Sequence, residues 1–135
     1  MNRQYRIALT LAAAGSAIGL SVTAAYAAPS AGWQEPTKVS NGYGHASFKT
    51  DGDVLTTCDD KTDGKKVRAS VQKWYASTGS WQAVGANDAP ASACDSKVVD
   101  VEPDSSLCRI HIWAEDGGVK VSGSDRYGPE FNATP

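Results

Sequence analysis

Histidine is scarce in this chain: His45 and His111 are the only two in 135 residues. Nucleophilic catalysis needs a base beside the nucleophile and a third group to orient it, and nothing in the sequence sets either histidine beside a particular serine and carboxylate. The local signatures GxSxG, HExxH and a phosphate-cradling glycine loop are missing. So is CxxC, and neither histidine stands at metal-ligand spacing from a cysteine. These absences leave no assignable catalytic residue, metal site or cofactor, and they weigh against an enzyme. Two carboxylates alone could hydrolyse a glycosidic bond across roughly 5 to 9 Å, but 15 acidic residues scattered over the chain single out no pair. A basic excess is lacking too, which argues against nucleic acid as a partner.

Only one long apolar run is present, and it lies at the N-terminus. Arg3 and Arg6 give a short cationic start, the stretch from Ile7 to Leu20 is apolar or small, and Ala25-Tyr26-Ala27 offers small residues where a signal peptidase reads. Residues 1–27 are therefore expected to be a secretory signal. The run is short for a membrane span and no stop-transfer segment follows, so no membrane contact is expected after cleavage. Removal leaves 108 residues, with 11 basic against 15 acidic and a net charge of −4. That is one domain of ordinary size, able to bury roughly 65% of its unfolded surface.

Cysteine is sparse and odd in number: Cys58, Cys94 and Cys108. Export makes a disulfide reasonable, and one thiol stays unpaired within the monomer, which leaves a disulfide-linked dimer open. If residues 97–101 and 107–114 form a hairpin turning near Asp104-Ser105, Cys108 lies opposite Val101 and Cys94 roughly 23 Å along the strand. Cys58 with Cys94, both at expected strand ends, is then the preferred pair.

Beyond a loose lead-in over residues 28–41, the pattern is that of an all-β domain over 42–135. Runs rich in Val, Ile, Thr, Trp and Tyr at 45–50, 54–58, 67–75, 81–84, 97–101, 107–114 and 119–122 are separated by Gly, Asp, Pro and Ser clusters. Asp51-Gly52-Asp53 reads as a hairpin turn, and residues 85–93 read as a loop by composition. About seven short strands of this kind predict a two-layer antiparallel β-sandwich. The tail from Gly123, with Tyr127, Pro129 and Phe131, is placed to cover a sheet edge.

In the run 67–75, Val67, Ala69 and Val71 alternate with Arg68, Ser70, Gln72 and Trp74. In 107–114, Ile110 and Ile112 point inward, and Arg109, His111 and Trp113 point outward. If these two strands share a sheet, Trp74, Trp113, Arg68, Gln72, Arg109 and His111 share its polar face. Such a face suits sugar rings, which stack on indoles and exchange hydrogen bonds with neighbours, and it also suits protein contacts. It becomes a second small core instead if Trp33, Tyr127 or Phe131 packs across it. The segment Asp59-Asp60-Lys61-Thr62-Asp63-Gly64 invites a calcium reading, but Lys61 occupies a ligand position and no bidentate glutamate follows, so turn formation explains it better.

The run Gly52-Asp53-Val54-Leu55-Thr56-Thr57-Cys58-Asp59, leading into Lys61-Thr62-Asp63-Gly64 and Val67-Arg68-Ala69, resembles small secreted β-sandwich proteins of uncharacterised function from filamentous high-GC Gram-positive bacteria. Glu102 before Arg109-Ile110-His111-Ile112-Trp113, and Asp116-Gly117-Gly118, resemble that family's later hairpin. The resemblance implies an exported protein with no assigned reaction, and it departs from many such sequences in the odd cysteine count. The expectation is thus a secreted, non-catalytic binding module for a cell-envelope or environmental polysaccharide. The alternatives are an extracellular protein partner, for instance a protease inhibited through loop 85–93, and a carboxylate-dependent hydrolase.

Overall fold

Alternating burial turns nearly every expected run into a strand. A computed structural model describes residues 37–134; the expected signal, most of the lead-in and Trp33 lie outside them. There are nine strands and no helix among the described residues: β1 (Thr37–Ser40), β2 (Gly44–Lys49), β3 (Val54–Asp59), β4 (Lys66–Tyr75), β5 (Ser80–Asp88), β6 (Cys94–Val98), β7 (Leu107–Asp116), β8 (Val119–Lys120) and β9 (Arg126–Asn132). They form two antiparallel sheets, ordered β1-β2-β3-β6 and β5-β4-β7-β8, with β9 also on β7. No helix among the described residues is long and apolar enough to cross a membrane.

Between the sheets, Phe48 and Leu55 of the first meet Val67, Val71, Ile110, Ile112 and Phe131 of the second, all essentially inaccessible. Phe48 and Phe131 lie ring to ring, with centroids 5.2 Å apart. The Asp-Gly turn forms as expected: Gly52 and Asp53 both take positive φ, and Asp53 N–H donates to the Thr50 carbonyl. Asp53 also accepts the Val99 N–H on its carbonyl and the Val101 N–H on Oδ2. Gly117-Gly118, both at positive φ, close the tight β7–β8 hairpin.

Three expectations need correction. The lead-in is not wholly loose, because Thr37 and Val39 are buried on β1 as it pairs with β2. Residues 85–88 are strand rather than loop: Gly85 stands where a Cβ would come 2.3 Å from Val99 Cγ1, so this glycine makes room for a core side chain. The segment expected as strand 97–101 does not pair with 107–114. β6 joins β3 in the first sheet and β7 joins β4 in the second, while residues 99–106 cross between the layers and bury Val99 and Val101. The tail does lie along a sheet edge, as expected: it forms strand β9 beside β7 and sends Phe131 into the core.

Cys58 and Cys94 are bonded, as preferred from sequence. Cys108 is fully buried, and burial pushes its thiol up to about 12. A thiol so placed is not available to link two chains without opening the core.

Candidate functional site: an aromatic and cationic face

β4 and β7 are neighbours in register, Arg68 opposite Trp113, Ser70 opposite His111 and Gln72 opposite Arg109. Cross-strand partners project to one side of a sheet. All six residues singled out in the sequence therefore come to the outer face of the second sheet. Trp74 lies six residues beyond Arg68 along β4, which places Trp74 and Trp113 roughly 20 Å apart at opposite ends of the face.

The space between them is filled by two residues that the sequence did not single out. The β4–β5 hairpin puts Trp81 directly opposite Trp74, with ring centroids 5.4 Å apart, edge to face. β9 puts Tyr127 opposite His111, with centroids 4.6 Å apart and planes 13° from parallel. Trp113 stacks on His111 from the other side at 4.7 Å. The Arg109 guanidinium lies 4.4 Å from the Trp81 centroid and 4.2 Å from that of Tyr127. The result is a continuous row, Trp74, Trp81, Arg109, Tyr127, His111, Trp113.

Polar contacts fix the row. Arg109 Nε donates to Gln72 Oε1 at 2.9 Å. At the Trp113 end, Trp113 Nε1 donates to Glu115 Oε1 at 2.8 Å, and Arg68 donates to Glu115 and, at 2.6 Å, to Asp88. The bonds from Trp113 and Arg68 hold the Glu115 carboxyl below its ordinary value, and Asp88 and Glu115 raise Arg68. His111 Nε2 and Lys120 Nζ both reach Asp125 Oδ1, at 2.6 and 2.8 Å. Burial pulls His111 below its ordinary value, outweighing Asp125, so the imidazole is neutral at pH 7.

Arg109 differs from its neighbours. Arg68 and Lys120 each face a carboxylate, whereas Arg109 makes no ion pair among the described residues, and its two Nη atoms have no protein acceptor there. Burial lowers it, against Tyr127 and Glu130. The side chain is thus clamped flat with an unpaired fork.

Phe131 does not cover this face, since it packs on the opposite side of its sheet. Tyr127 lies within the row rather than across it and is 52% exposed. Trp81 could have been found from the Thr78-Gly79-Ser80 turn, whose hairpin register pairs positions 74 and 81. Tyr127 carried no such signal, because β9 joins the sheet only through a tertiary contact.

On the other sheet, the segment 59–63 uses its carboxylates locally. Asp60 Oδ2 meets His45 Nδ1 at 2.8 Å, Asp63 accepts from Lys65, and Asp59 Oδ1 accepts the Lys61 N–H. Strand register, rather than spacing along the chain, brings His45 of β2 directly opposite Cys58 of β3, and Cys58 is opposite Cys94. Comparison with known protein families, curated proteins and solved structures finds no match to this chain.

Proposed function

We propose that the protein is a secreted binding module and that the outer face of the second sheet holds a polysaccharide without chemically changing it. The observation that carries this reading is the row about 20 Å long with a fixed, unpartnered guanidinium fork at its centre. Sugar rings pair apolar C–H faces with hydroxyls, and the row pairs indole and phenol surface with a donor. Because Arg109 is already held between Trp81 and Tyr127 and by Gln72, ordering it on binding costs little entropy. The length favours an extended polymer over a single sugar. Export agrees with the apolar N-terminal run and with the disulfide, which is compatible with an oxidising compartment. The resemblance to small secreted β-sandwich proteins points the same way.

A protein-directed role has less to stand on, because half of the loop that would be offered, residues 85–93, is strand. Sedimentation with chitin, cellulose and isolated cell wall tests the reading. Saturable binding is expected to at least one polymer, weakened about tenfold or more in Arg109→Ala and in the Trp74→Ala/Trp113→Ala variant while circular dichroism stays native. Absence of saturable binding to all three would overturn it.

A further inference from the structure

The outer face of the first sheet carries a second arrangement that the polysaccharide reading does not use. His45, Cys58 and Cys94 stand side by side on β2, β3 and β6, one row across three strands. A ring nitrogen of His45 and the two Sγ atoms all lie within 4.8 Å of one another. Asp60 orients the imidazole through Nδ1. The two ends of the disulfide differ: Cys58 is 3% exposed, whereas every residue of the edge strand β6, Cys94 included, is exposed. Cys94 also opens onto a cleft of about 700 Å³, lined with Asp59, Asp60, Lys61, Asp63 and Ser92. Ser92 Oγ donates to the Lys61 carbonyl, and Asp59 N–H to that of Ala93, so the walls of the cleft are tied.

We propose that Cys58–Cys94 is a thiol–disulfide exchange site that accepts two electrons from a dithiol entering this cleft. One thiolate of the dithiol attacks Sγ of Cys94, the more exposed residue of the pair, and forms a mixed disulfide. The S–S electron pair leaves on Cys58 Sγ, and the departing thiolate takes its proton from the neighbouring His45 ring. The second thiol of the dithiol then attacks its own sulfur of the mixed disulfide and releases Cys94 as a thiolate. The dithiol is oxidised to a disulfide, and Cys58 and Cys94 are reduced to thiols. Cys108 takes no part, being buried in the core.

Reduction of the folded protein by dithiothreitol, followed by trapping and counting thiols at intervals, tests the proposal. The rate is expected to rise in proportion to dithiothreitol concentration and to be unchanged by the core variant Ile110→Val. His45→Ala is expected to slow it about tenfold, from loss of the proton donor to the leaving thiolate. His45→Lys, which puts a proton donor back beside Cys58, is expected to return it to within about threefold of the native rate, which loss of packing alone would not do. A rate that saturates with dithiothreitol and speeds up in Ile110→Val would mean that reduction waits for unfolding and would overturn the proposal. So would a His45→Ala rate equal to the native one. Neither result depends on whether the opposite face binds polysaccharide.

Discussion

Removing the disulfide by Cys58→Ala/Cys94→Ala should show how much of the domain's stability comes from closing one loop. The bonded residues are 36 apart, and the chain-entropy relation for a loop of that length gives about 4 kcal/mol at 25 °C. Few other contacts hold β6. It contributes no buried side chain, and beyond its ladder with β3 it is tied by a bond between the Thr56 and Ser96 hydroxyls, by Asn87 Nδ2 to the Asp95 carbonyl and by Lys97 Nζ to that of Ala86. The covalent link therefore carries a share that packing cannot replace. For a domain of this size, about 4 kcal/mol corresponds to a fall in Tm of roughly 15 to 30 °C, read by scanning calorimetry against the native protein. Amide exchange should quicken most in β6, with Ile110 and Ile112 on β7 remaining the slowest. A fall in Tm below about 5 °C, with β6 still protected, would refute the reasoning, because the ladder and the three side-chain bonds would then suffice.

Phe131→Ala opens the interface between the sheets at the Phe48 contact and is expected to cost about 3 to 5 kcal/mol, measured by urea unfolding with m unchanged. Trp74 Nε1 is buried without an acceptor, so Trp74→Phe, which removes the stranded donor while keeping a ring against Trp81, should change stability by less than about 1 kcal/mol. His111, lowered by burial from its ordinary 6.5, should titrate below that value by NMR. Because its folded value is the lower one, protons bind the unfolded chain preferentially, and stability should decline as pH falls through 6.5. Asp125, lowered chiefly by the bond from Lys120 and also by that from His111, contributes stability above its ordinary 3.8 that is lost as pH falls through its folded value. A His111→Phe variant should lose the decline near 6.5 and keep the one below 3.8.

The sequence carries the fold well where side-chain alternation is local. Val67, Ala69 and Val71, or Ile110 and Ile112, declare their inward face without knowledge of the partner strand, and Asp-Gly at 51–52 declares a turn through its backbone preference alone. Pairing across distance is not written in this way. Val99 and Val101 alternate as a strand would, yet they cross between layers because Asp53 captures their N–H groups. Gly85 reads as a loop residue because the sequence does not show that Val99 will lie over it. The candidate face shows the same division. Trp74, Trp113, Arg68, Gln72, Arg109 and His111 could be gathered from two alternating runs, whereas Tyr127 arrives by a tertiary pairing of β9. His45 comes to Cys58 through β2–β3 register, which a motif search along the chain does not see.

The most direct measurement is a titration of the isotope-labelled protein with a soluble oligosaccharide of the polymer that it sediments with, following the backbone amides and the tryptophan Nε1 resonances. Saturable shifts are expected at Trp74, Trp81, Arg109, Tyr127 and Trp113, and none along β2, β3 or β6. Shifts confined to the first sheet, or spread evenly over both, would contradict the assignment of this face as the binding surface.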